Sequence, residues 1–172
     1  ADRVEARLDE LLTAERERWV TFDADLAQPI DEIRRLVLSG GKRLRPAFTH
    51  WGYVGAGGGT DDQIDIDAGA AFELMHAFAL YHDDVMDEAE TRRSVETVNA
   101  RWGNLQAILA GDFLLSRASE IAASLGTEVA GLLARTIGWL CEGQIEALRH
   151  TYDLGRTEDS YLRSIHGKTA SL

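Results

Sequence analysis

The sequence predicts an all-α protein, a helical bundle. Three observations lead there. Apolar residues recur at three- and four-residue spacing along most of the chain, and no stretch alternates with a period of two. Only two prolines, Pro29 and Pro46, interrupt 172 residues, so long helices are permitted. An apolar fraction of 45% is enough to fill a sizeable core.

The elements follow in order. Val4, Leu8, Leu11, Leu12, Trp19 and Phe22 stand among charges at close to helical spacing across residues 2–27. Gln28-Pro29 breaks that helix, and Pro29 suits the first turn of a short one running to Leu38. Ser39-Gly40-Gly41 ends it, and an apolar helix is expected from Ala47 to Val54. Gly55–Gly59 reads as a loop, with Asp61 and Asp62 as caps for a long helix over residues 62–88. The stretch after Asp87 has no apolar period and reads as loop. Leu105–Ser124 is expected to be a helix with Ile108, Leu109, Phe113, Leu114, Leu115 and Ile121 as its core face. Further helices are predicted over residues 127–150 and from Glu158 onward. The length fits one domain or part of a larger one.

Composition narrows the function. A net charge of −11 argues against general affinity for nucleic acid or anionic membranes. No apolar run approaches the roughly 20 residues of a membrane span, so no stable membrane insertion is expected. The single cysteine, Cys141, excludes an intrachain disulfide and makes the cytoplasm the default compartment. Sixteen arginines stand against two lysines, Lys42 and Lys168.

The chemistry concentrates in Glu73–Asp87, an apolar helix that ends in Asp83, Asp84 and Asp87. Asp83 and Asp87 stack one turn apart, where two carboxylates repel and the helix dipole disfavours both. A cation offsets such penalties, and carboxylate oxygens with room for water and phosphate suit Mg²⁺. A solvated acidic helix end is the alternative. Gly40-Gly41-Lys42-Arg43-Leu44-Arg45-Pro46 places three cations beside two glycines, a possible anion cradle or a solvated turn. Arg92-Arg93 follows the aspartates closely enough to reach back to them. His76 lies two turns below Asp83 on one face, facing the same cavity or packed in the core. His82 and Asp112 read as structural, and Ser116, Ser119 and Cys141 lack any base partner for nucleophilic catalysis. An acidic helix end, two basic clusters and apolar walls describe a pocket for a lipid-like chain carrying a diphosphate.

Five motifs occur in order: Gly40-Gly-Lys-Arg-Leu-Arg-Pro46; His82-Asp83-Asp-Val-Met-Asp87 with Arg92-Arg93; Ala110-Gly-Asp-Phe-Leu114; Gly143-Gln144; and Lys168-Thr-Ala170. Together they closely resemble the trans-isoprenyl diphosphate synthases, or polyprenyl synthetases, over nearly the whole chain from about residue 30. The resemblance implies that residues 1–172 are the N-terminal part of a single all-α prenyltransferase domain. It implies a Mg²⁺-dependent head-to-tail condensation of isopentenyl diphosphate with an allylic diphosphate. Asp83 and Asp87 would be metal ligands, with Asp84 supporting. Arg92, Lys168 and Thr169 would contact the allylic diphosphate, while Lys42, Arg45, His76 and Arg93 would hold isopentenyl diphosphate, and Gln144 would also face substrate. Phe78 and Ala79, one turn below the metal, would bear on chain length, and the bulky-then-small order favours a C20 product. A homodimer is expected.

Two departures stand out. Ser94 occupies a place that is usually glycine in the family, and Glu146 lies beside Ala147, where many members carry an acidic or amide residue. Members of the family also carry a second aspartate-rich motif downstream, so the 172 residues alone are expected to be inactive. The rival readings are a non-catalytic helical subunit of a prenyl synthase and a terpene cyclase.

Overall fold

The stripe Val4, Leu8 and Leu12 is buried along the first helix, α1 (Asp2–Phe22), and begins a fold that is helical nearly throughout. The computed structural model describes residues 1–92 and 94–172. Among them, α1 is followed by a 3₁₀ turn at Ala24–Leu26 and then α2 (Ala27–Val37), α3 (Leu44–Gly55) and α4 (Gln63–Met86). A two-stranded antiparallel hairpin, β1 (Thr91–Arg92) with β2 (Val95–Glu96), leads to α5 (Val98–Trp102) and α6 (Asn104–Ser124). Then come α7 (Thr127–Arg149), α8 (Glu158–Ile165) and a π-helical turn at His166–Ala170. The chain divides into two compact units, Ala1–Leu125 and Gly126–Leu172.

In the first unit α4 is the central element, packed on α6, α3 and α1. Leu8, Leu12, Ile30, Leu74, Met75 and Leu114 are its largest fully buried side chains. Each contributes about 1.5–3 kcal/mol by leaving water. In the second unit α7 packs against α8 and the π-helical turn.

Several expectations change in detail. α3 starts at Leu44, so Pro46 lies inside its first turn rather than before it, because first-turn N–H groups need no intrahelical partner. Asp62 is the N-cap of α4, but its carboxylate turns away from the helix and accepts bonds from Tyr53 Oη and Gly59 N (2.7 and 2.9 Å). The stretch expected to be loop contains the hairpin and α5, elements too short for any period to show. On α6 the buried face is made by Ala107, Ala110, Gly111, Leu114, Ala118, Ile121 and Ala122, while Ile108 and Leu109 are exposed. Small residues line that face because α4 lies close. A Cβ on Gly111 would come 2.5 Å from the His82 ring. Asp112 is exposed as well, so the question of burying its charge does not arise.

Candidate active site

Along α4 the residues Glu73, His76, Ala77, Leu80 and Asp84 recur at three- and four-residue spacing and line one cavity of about 70 Å³. The 39–40 turn, Arg92 and residues 95–98 complete its wall. That is room for about two waters. A prenyl diphosphate needs several times more.

The three aspartates at the end of α4 have different surroundings. Asp84 is 5% exposed and takes Arg92 as its partner, with Arg92 Nε donating at 2.8 Å and Nη2 at 2.7 Å. The hydrogen bond to Asp84 holds the Arg92 guanidinium yet more firmly protonated than usual. Asp83 is partly exposed, with Arg92 Nη2 at 3.5 Å, and Asp87 is exposed at the helix C-cap. No basic residue lies in the last turn of α4, so the dipole penalty on these carboxylates is not relieved from within the helix.

Arg92 reaches Asp84 because the chain folds straight back after α4. Ala89 N donates to Asp84 O (2.9 Å), Thr97 Oγ1 to Ala89 O (2.7 Å) and Asn99 Nδ2 to Ala89 O (2.9 Å). The hairpin turns through Ser94, whose φ of 63° explains why glycine suits that position. Arg93 lies outside the described residues.

The three cations of the 42–45 loop separate, and of them Arg43 lines the cavity. Arg43 is 8% exposed and turns inward to Glu73, itself 7% exposed, at 2.5 Å, and to Val37 O at 2.9 Å. It does so from the left-handed region, φ 45°, which reverses the chain at the start of α3. Lys42 is exposed, and Arg45 Nη1 lies 3.2 Å from His76 Nε2. Arg45 and His76 therefore come together. Phe78 is half-buried and meets the His82 ring edge-on, 4.7 Å between centroids, while His82 Nε2 donates to Ile108 O (3.1 Å). Ala79 is half-buried.

Gln144, Lys168 and Thr169 belong to the second unit. Lys168 and Thr169 ride on the π-helical turn, Lys168 half-buried and Thr169 exposed. Gln144 Oε1 is buried without a hydrogen-bond partner. Glu146, beside the departure at Ala147, accepts Ser160 Oγ at 2.9 Å, and that bond lowers its pKa.

Among the described residues no three His, Cys, Asp or Glu side chains gather to hold a metal. Asp83 and Asp87 do fit a Mg²⁺ that keeps water and shares its shell with phosphate, since such an ion takes one or two carboxylates rather than a protein cage. Sequence reading missed Glu73, Thr97 and Asn99. Only Thr97 carried a signal, as the cap of α5, where it accepts Ala100 N at 3.3 Å.

The family model of polyprenyl synthetases matches residues 27–172. The chain belongs to the polyprenyl synthetase family. It is 43% identical over 142 residues to the nonaprenyl diphosphate synthase of Mycobacterium tuberculosis, covering 83% of this chain and 42% of that protein. Among solved structures it is similar to a geranylgeranyl pyrophosphate synthetase of Geoglobus acetivorans, with TM-score 0.82, 32% identity, and 96% of this chain on 52% of that one. A polyprenyl synthase of Caulobacter crescentus, complexed with calcium and isoprenyl diphosphate, matches with TM-score 0.79 and 34% identity, 99% of this chain on 52% of that one. The chain thus spans about half the length of these polyprenyl synthetases. Among the described residues no helix is long and apolar enough to cross a membrane.

Proposed function

We propose that the full-length protein is a homodimeric, cytoplasmic prenyltransferase that condenses isopentenyl diphosphate with an allylic diphosphate, with Mg²⁺ as cofactor. The observation that carries this is that Asp84, its partner Arg92, and His76, which is hydrogen-bonded to Arg45, meet on α4 and the hairpin, with Asp84, Arg92 and His76 lining one cavity. Asp83 and Asp87 would hold Mg²⁺, which would supply charge neutralisation for the leaving diphosphate. Asp84 orients Arg92 toward the allylic diphosphate, where a charge-assisted hydrogen bond strengthens as negative charge grows. Lys42, Arg45, His76 and Arg93 hold the isopentenyl diphosphate. By the family resemblance Lys168 and Thr169 contact the allylic diphosphate and Gln144 also binds substrate, while apolar helix faces shield the reacting carbons from water. The allylic C–O bond breaks to release diphosphate and an allylic cation, the isopentenyl double bond attacks that cation to form the new C–C bond, and the resulting carbocation passes a proton to the released diphosphate, restoring an alkene.

The full-length protein should release diphosphate only with both substrates and a divalent metal. Comparable release in excess EDTA, or from isopentenyl diphosphate alone, would sink this reading. The 172-residue chain by itself is expected to be inactive.

The product is proposed to be C20. A chain anchored at Asp83 and Asp87 runs down α4 by about 5.4 Å per turn. The small Ala79 admits it, and the Phe78 ring, braced edge-on by His82, closes the way. Phe78→Ala should then lengthen the product beyond C20, and Ala79→Phe should shorten it toward C15. Reversed-phase analysis of the dephosphorylated products checks this, and an unchanged distribution in both variants puts the floor elsewhere.

A further inference from the structure

Gly143 and Gly167 stand back to back where α7 meets the π-helical turn. A Cβ on Gly143 would overlap the backbone nitrogen of Lys168 and lie 2.7 Å from both Gly167 C and Ser164 O. A Cβ on Gly167 would lie 2.7 Å from Trp139 O, 2.9 Å from Gly143 Cα and 3.0 Å from Gly143 N. Every one of these neighbours is backbone, so no side chain can swing aside to relieve the contact. Both glycines are buried, and neither has a positive φ, so conformational freedom is not what they supply. They supply closeness.

The segment pressed into this seam is unusual. Residues 166–170 form a π-helical turn, closed by Ser171 N on His166 O (2.8 Å) and Ser171 Oγ on Gly167 O (2.6 Å). Such turns are rare and cluster at functional sites, because they shift the side chains that follow to a new angle. Lys168 and Thr169 are the side chains so shifted. On the incoming side α8 is tied down by Arg156 Nη2 on Ser164 Oγ (2.5 Å) and Ser160 Oγ on Glu146 Oε1 (2.9 Å). The turn is therefore held from α8, from its own closing bonds and from α7, and the α7 contact bears directly on the Lys168 backbone.

We propose that Gly143 and Gly167 are positioning residues that set the height and direction of Lys168 and Thr169 through a backbone-to-backbone seam. This rests on the reading of Lys168 as an allylic-diphosphate contact. Any side chain at either position lifts the π-helical turn off α7. A displacement of about 1 Å in a group aimed at substrate costs up to about 10²-fold in rate.

The test compares Gly143→Ala and Gly167→Ala with Gly138→Ala in the full-length protein. Gly138 lies on the same helix with open space around its Cβ position, so alanine there is tolerated and improves helix propensity. Gly143→Ala and Gly167→Ala should each raise KM for the allylic diphosphate on the order of tenfold, with KM for isopentenyl diphosphate unchanged. Amide hydrogen exchange over residues 164–172 should quicken in both, and remain as in the wild type for Gly138→Ala. The double variant should cost little more than either single one, since both force the same contact apart. Unchanged exchange over residues 164–172 in both seam variants overturns the proposal. So does an equal rise in both KM values with a uniform loss of stability, which marks a merely structural seam. A wild-type protein that turns over neither diphosphate removes the functional reading, and Lys168 with it as a substrate contact, even where the exchange results hold.

Discussion

Asp83→Asn in the full-length protein is expected to lower the kcat of the proposed reaction by on the order of 10² or more. Asp83 and Asp87 are one turn apart and reachable from solvent, whereas Asp84 is buried against Arg92. An asparagine at position 83 keeps the shape of the side chain and one oxygen, but removes the charge that, on the proposed mechanism, would hold the metal against the leaving diphosphate. Because that charge matters most in the transition state, the loss falls on kcat more than on KM. Lys42→Ala is the contrasting variant. Lys42 is exposed, and on the proposed assignment its loss should chiefly raise KM for isopentenyl diphosphate. Steady-state kinetics with each substrate varied in turn separates the two. If Lys42→Ala raised only the allylic KM, the assignment of the two diphosphate sites would be reversed.

Glu73→Ala should destabilise the protein by about 3–5 kcal/mol, the usual cost of leaving a buried charge without its partner. The Arg43 guanidinium is enclosed, and Glu73 at 2.5 Å is the carboxylate nearest to it; Glu5 is more exposed and 3.6 Å away. A bond to Val37 O remains in the variant, but a neutral carbonyl does not replace a carboxylate. For a protein of this size or larger the loss corresponds to a fall in Tm on the order of 10 °C. Replacing both partners with apolar side chains, Arg43→Met with Glu73→Leu, should recover most of it, because no buried charge is then left. Denaturant unfolding of the two single variants and the double variant measures the coupling directly. A Glu73→Ala protein within about 1 kcal/mol of the wild type would show that water reaches Arg43.

The pair also shows where sequence reading stops. Glu73 and Arg43 are thirty residues apart, and nothing local distinguishes Arg43 from Lys42 and Arg45 in a run of three cations. Only the left-handed turn at Arg43 sends one cation inward and leaves the other two facing outward or to His76. The same limit applies on α6. Its periodicity announced a helix, but Leu105, Ile108 and Leu109 are exposed, and the buried face consists of small residues chosen by the closeness of α4. Hydrophobicity marks faces that leave water, and does not say against which neighbour or at what distance.

What the sequence determined by itself was the longer helices, their approximate ends, the acidic end of α4 and the existence of two basic clusters. These are local properties: periodicity, glycine and proline punctuation, and charge spacing within a turn or two. Five ordered motifs also sufficed to indicate the family that residues 27–172 match. Tertiary structure alone decided which aspartate is buried, since Arg92 reaches Asp84 only after a hairpin too short to leave a pattern. It alone decided that Gly143 and Gly167 press together to carry Lys168, because that contact joins two backbones twenty-four residues apart. The division has a physical cause. Backbone preference and amphipathicity are written into neighbouring residues, whereas the partner of a buried charge or of a missing side chain is chosen only when distant segments pack.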